Sequence, residues 1–204
     1  MAVIGPIRLN RECEVIEIPS GIRSTLSAGT VVRIMQSLGG GYTVATDRGH
    51  MFRVDDKEAD ALGLSTQAPA PQEGTFSEQM VLDQLKTVYD PEIPVNIVDL
   101  GLVYSCVITP LEEAGNRIDV ALSMTAPGCG MGNVLKSDVE SKLSRLPTVK
   151  EVRVEVVFDP PWHPGFMSDA AKLRLGFDLD YGTTEPADTR NKGMVRIDSE
   201  ERRQ

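Results

Sequence analysis

LVYSCVITPLEEAGNRIDVALSMT, residues 102–125, is the stretch on which the fold turns. LVYSCVIT (102–109) and RIDVALSMT (117–125) are rich in β-forming residues, and the turn-forming EEAGN between them predicts an antiparallel hairpin. Downstream, Leu135, Val139, Leu143 and Leu146 recur at helical spacing. VKEVRVEVVF (149–158) then alternates Val152, Val154 and Val156 with charged neighbours, as a half-buried strand does. SDAAKLRLG closes the series, with Ser168 as N-cap and Gly176 as C-terminal stop.

Upstream, Thr75-Phe76-Ser77-Glu78 reads as a capping box. Val81, Leu85, Val88 and Tyr89, with Leu82 beside them, continue one helix face until Pro91 stops it. The expectation is an α+β fold: a small mixed three-stranded sheet with helices packed on one face, in the order α-β-β-α-β-α, over residues 75–177. The Pro/Ala-rich STQAPAPQEG, residues 65–74, reads as an extended linker. Before it, residues 1–64 form a small β-rich module. VVRIMQS (31–37) and YTVATD (42–47) flank Leu38 and Gly39–Gly41, HMFRV (50–54) follows, and DDKEADALGL makes a short acidic helix ended at Gly63. Residues 178–204 are polar and of mixed charge, and read as a mobile tail.

The chain has 204 residues, 41% of them hydrophobic and 25% charged, enough for one medium core or two small ones. Its net charge of −9 opposes non-specific binding to nucleic acid or anionic lipid. No run has the length of a membrane span and the first residues lack a signal-peptide core, so a cytoplasmic location is expected. Cys13, Cys106 and Cys129 cannot all pair, and none sits in a C-x-x-C or C-x-x-H spacing for zinc.

Three segments carry candidate chemistry. In MTAPGCGMGNVLK (124–136), Cys129 stands between Gly128 and Gly130 at a strand-to-helix turn. A helix N-terminus favours a thiolate and the glycines keep bulk away from it, but a small apolar residue in a glycine turn fits the spacing equally well. Cys106 lies inside a strand pattern and reads as core; Cys13 sits next to charged residues near the N-terminus and reads as non-functional. DPEIPVNIVDLGLVY (90–104) places Asp90, Glu92 and Asp99 on a proline-fixed connection. They are either a general base or hard-metal ligands, or else a turn cap, a solvated side chain and a backbone acceptor. In FDPPWHPGFMSDAAKLRLGF (158–177), prolines around Trp162 and His163 make a rigid loop, a lid or docking surface, in which a lone histidine is more often structural. The Gly39–Gly41 run lacks a P-loop or dinucleotide-binding pattern and reads as a hairpin turn.

Taken together, DPEIPVNIVDLGLVY and MTAPGCGMG resemble the signature of the metal–sulfur cluster biosynthesis family, which includes the eukaryotic cytosolic iron–sulfur targeting factors. GTVVRIMQSLGGGYTV, EADALG and DPPWHPGFMSDAAKLRLG are similar to the bacterial subfamily called SufT, of the SUF system, over about residues 10–177. The resemblance implies iron–sulfur cluster maturation or delivery by an accessory factor, not an enzyme. It makes Cys129 the functional thiol, with Asp90, Glu92, Asp99 and Thr125 as the supporting acidic and polar site. A cluster takes four cysteine ligands, so no permanent cofactor is expected. A transient cluster or iron ligated by Cys129 is expected instead, shared across a homodimer or with a partner or small thiol, or else an adaptor contact. The implied partners are iron–sulfur assembly proteins and client apoproteins, with neither nucleic acid nor membrane. The alternatives are a thiol enzyme in which Asp90, Glu92 or His163 serves Cys129 as base, and a redox-sensing or purely structural interaction module.

Overall fold

The N-terminal sheet is built from six antiparallel strands: β1 (Ile7–Arg8), β2 (Cys13–Ile18), β3 (Arg23–Leu26), β4 (Val31–Ser37), β5 (Gly41–Thr46) and β6 (Met51–Asp55). Their order is β1-β4-β5-β6-β2-β3. The computed structural model describes residues 5–65, 76–112, 115–126, 130–179 and 195–197. The chain divides into two units. The first comprises Met1–Ala70, Thr87–Pro94 and Cys129–Val134; the second comprises Pro71–Lys86, Val95–Gly128 and Leu135–Gln204.

In the first unit, alternation along the strands sends Cys13, Val15, Val32, Val44, Phe52 and Val54 into one apolar cluster. Gly39 and Gly40 have positive φ, 71° and 80°, and turn β4 into β5 as the hairpin reading requires. The acidic segment after β6 is helical but tighter than expected, a 3-10 helix over Asp56–Leu62. Asp55 caps its start by accepting from the Lys57 amide, and Gly63 ends it in the left-handed region at φ 71°.

The second unit contains α1 (Glu78–Leu85), β7 (Val103–Leu111), β8 (Gly115–Leu122), β9 (Val149–Val156), α3 (Asp169–Leu175) and β10 (Val195–Ile197), and most of α2 (Gly132–Leu143). β7 and β8 form the expected antiparallel hairpin. β9 lies parallel to β8, a pairing that needs a crossover, and α2 supplies it. Register places Cys106 opposite Val120 and Ile108 opposite Ile118, with Val120 opposite Val154, so the buried side chains share one face. The helices lie on one face of this mixed sheet, and Val81 and Leu85 of α1 and Leu135, Val139 and Leu143 of α2 are buried.

Three expectations are corrected. The sheet has four strands, not three, in the order β10-β7-β8-β9, so the order α-β-β-α-β-α gains a final strand. That strand, Val195–Ile197, lies in the segment read as a tail and pairs parallel with Cys106–Ile108. Helix α1 is capped by Ser77, whose hydroxyl accepts from the Met80 amide at 3.3 Å, two residues later than the Thr75 box. It ends at Leu85, and from Thr87 the chain belongs to the first unit, so Val88 and Tyr89 are not helical. Thr75 and most of the 65–74 segment lie outside the described residues.

Candidate functional site

The acidic motif divides into a buried half and an exposed half. Pro91 and Pro94 bar a helix here, and Asp90 closes a turn in its place: its Oδ1 accepts from the amides of Glu92 at 2.8 Å and Ile93 at 2.9 Å. Asp90 is only 4% exposed, while Glu92 is exposed. Burial raises the Asp90 carboxyl above its ordinary pKa, against the two amides and the nearby Arg53 charge, which pull the other way. Partial desolvation, with the Asp90 charge second, raises Glu92 as well.

The N-terminal strands hold this turn by its main chain. Thr43 Oγ1 on β5 donates to the carbonyl of Pro91 at 3.1 Å, and Gln36 Nε2 on β4 donates to the carbonyl of Asp90 at 3.1 Å. Arg53, 6% exposed on β6, is the cation whose charge works against the burial of Asp90. A Cβ on Gly39 would come within 2.6 Å of the Thr87 carbonyl, so the hairpin turn passes directly over the chain leading into the motif.

Gly130 packs main chain against main chain. A Cβ there would strike the Ser20 carbonyl and come within 2.9 Å of the Gly21 amide; a Cβ on Gly21 would strike the Gly130 carbonyl. Glycine is needed at both positions. Cys129 and Gly128 lie outside the described residues. Thr125 is half-buried and belongs to the second unit, after the buried Ser123 and Met124.

Asp99 also belongs to the second unit. Its Oδ2 accepts from Asn96 Nδ2 at 2.6 Å and its amide donates to Asn96 Oδ1 at 2.8 Å, so the carboxylate bonds a side chain and not the backbone ahead of Gly101. The Trp162 loop covers this segment. Trp162 Nε1 donates to the Leu100 carbonyl at 2.8 Å, the Ser168 amide donates to the Asp99 carbonyl at 2.8 Å, and Gly101 has no side chain to collide with Phe166. His163 Nδ1 accepts from the Gly165 amide at 3.1 Å and caps a short 3-10 turn, the structural use expected of it.

The structure thus brings Asp90, Glu92 and Gly130 into the first unit and Asp99 and Thr125 into the second. Burial pushes the Cys13 thiol up to about 11 and the Cys106 thiol up to about 12. Among the described residues no group of three or more His, Cys, Asp or Glu could hold a metal ion, and no helix is long and apolar enough to cross a membrane. Gln36, Thr43, Arg53, Asn96 and Gly21 went unnoticed in sequence. Apart from Asn96, which bonds Asp99 three residues on, their partners are distant along the chain, and a charged residue, Arg53, between the apolar Phe52 and Val54 was the local sign.

Residues 78–156 match the family described as iron–sulfur cluster assembly protein. Over 101 residues, half of this chain and 92% of the other, the sequence is 39% identical to an Fe-S protein maturation auxiliary factor of Porphyromonas gingivalis. It is 35% identical over 99 residues, 48% of this chain and 93% of the other, to the auxiliary factor YitW of Bacillus subtilis. The auxiliary factor SufT of Staphylococcus aureus is 37% identical over 89 residues, 44% of this chain and 97% of that one.

Proposed function

We propose that this chain, which belongs to the iron–sulfur cluster assembly protein family, is an accessory factor that delivers clusters to client apoproteins through Cys129, as an adaptor or a transient carrier. The relatives are auxiliary factors of maturation, so the role is non-catalytic. The cluster is cargo.

The state of the other two thiols carries the assignment to Cys129. Cys13 and Cys106 are buried with raised pKa values, and metal ligation needs an accessible thiolate. Cys129 precedes the first residue of α2 by three positions and lies within the matched stretch. One thiol cannot hold a cluster alone, so three further ligands come from a second copy, a partner or a small thiol. Glu92, exposed beside a buried Asp90, is the carboxylate available to a client or to iron.

The assembly function belongs to residues 75–177, with residues 1–64 as an added module of the SufT kind. The test is complementation of a deletion strain with wild type and Cys129→Ser, reading client iron–sulfur enzyme activity, beside anaerobic iron and sulfide reconstitution followed by absorption. Cys129→Ser should leave client activity at the deletion level; wild-type activity from that variant would remove the thiol from the mechanism.

A further inference from the structure

Half of this chain lies outside its alignment with the auxiliary factor of Porphyromonas gingivalis, and among the described residues the N-terminal sheet contains no group of three or more His, Cys, Asp or Glu that could hold a metal ion. What it does contain is a set of side chains aimed at the acidic turn. Thr43 is buried, and its hydroxyl donates to the Pro91 carbonyl; Gln36 donates to the Asp90 carbonyl from the neighbouring strand; Arg53, on the next, contributes an opposing charge to Asp90. These are strands β5, β4 and β6, three consecutive members of one sheet.

Thr43 lies on the face of the sheet opposite Val44 and the apolar cluster, paired in register with Gln36 and Arg53, and a threonine buried there keeps its hydroxyl satisfied through a bond that valine could not make. Here both acceptors are carbonyls of the turn itself, at the two residues preceding Glu92. We propose that the N-terminal sheet is a positioning element for the acidic turn, in which Thr43 and Gln36 fix the main chain at Asp90 and Pro91 and so fix the direction in which Glu92 is presented. Thr43 and Gln36 are positioning residues, and they act through Glu92. The inference rests on the maturation role of that turn, and its physical part can be read without it.

The experiment uses the full chain with Thr43→Val, Thr43→Ser, Gln36→Met and, as control, Thr46→Val. Thr46 is on the same strand, and its hydroxyl donates to the His50 carbonyl at 3.4 Å within the sheet. Hydrogen exchange of the peptide covering residues 87–94 is compared with that of the sheet, alongside client activity in the deletion strain. Loss of one buried hydrogen bond should speed exchange in 87–94 about tenfold and lower client activity about threefold for Thr43→Val and Gln36→Met. Thr43→Ser should restore both, and Thr46→Val should change neither. Wild-type exchange or wild-type client activity in a folded Thr43→Val chain overturns the proposal. So does uniform acceleration across the whole sheet, which would make Thr43 a stability residue only. Normal client activity with Cys129→Ser would instead remove the thiol from the proposed mechanism, and the exchange data would still decide whether the sheet holds the turn.

Discussion

Gly21 and Gly130 are in main-chain contact, with no room for a side chain on either. Gly21 also has φ +70°, in the region that favours glycine. Gly49, with φ +81° and nothing within 4 Å of a Cβ, shares the second property without the first. Gly49→Ala should cost about 1 kcal/mol, the left-handed penalty alone. Gly21→Ala should cost about 1–3 kcal/mol more, because the two backbones must separate. Urea unfolding of the two variants checks this; equal costs would show that the close approach contributes nothing.

The raised pKa of Asp90 has a defined pH signature. The folded chain holds this proton more tightly than the unfolded chain, so the stabilisation is complete below the ordinary value of 3.8 and is lost as pH rises through the higher folded value. Asp90→Asn cannot ionise, and its amide oxygen can still accept from residues 92 and 93. The stability of wild type relative to Asp90→Asn should therefore fall from acid to neutral pH. Denaturant melts across that range test it, and a rise would mean that Arg53 outweighs burial.

Glu92 and Asp90 should separate function from stability. Glu92→Gln, at an exposed position, should change unfolding free energy by less than about 0.5 kcal/mol and still reduce client activity. Asp90→Ala removes the acceptor for two amides and should cost about 1–3 kcal/mol. Complementation and melting of the same two variants provide the check; a Glu92→Gln chain with full client activity would assign the motif to stability alone.

Thiol labelling should be selective. With pKa values near 11 and 12, Cys13 and Cys106 are thiolate in fewer than about one molecule in a thousand at pH 7.5, and both are buried. Iodoacetamide should alkylate neither in the native chain and both in denaturant, read by mass spectrometry of the peptides. Native labelling at either would weaken the case for Cys129 as the working thiol.

Elements whose signals are local were legible. Strand β4 runs from Val31 to Ser37 as its alternation predicts, and Ser168 and Gly176 cap α3 through chemistry that needs no distant partner. The start of α1 went to Ser77 because Thr75 and Ser77 are both good N-cap residues two positions apart, so residue type alone does not choose between them. Strand β10 has three residues in a polar context, too few for periodicity, and owes its place to pairing with β7. The acidic turn was legible as a turn, including the capping role of Asp90. Its attachment to Gln36 and Thr43 was not, since hydrogen bonds spanning 54 and 48 residues leave no pattern in either segment.

The pairing of β10 with β7 has a consequence for solubility. From Val103 to Leu111, β7 carries no charged residue. At the other rim, β9 bears Lys150, Arg153 and Glu155, side chains that discourage edge-to-edge association. A chain cut after Phe177 would lose β10 and present β7 as a bare, uncharged template. It would be lost to aggregation before it was lost to unfolding, with light scattering rising ahead of any change in helix signal.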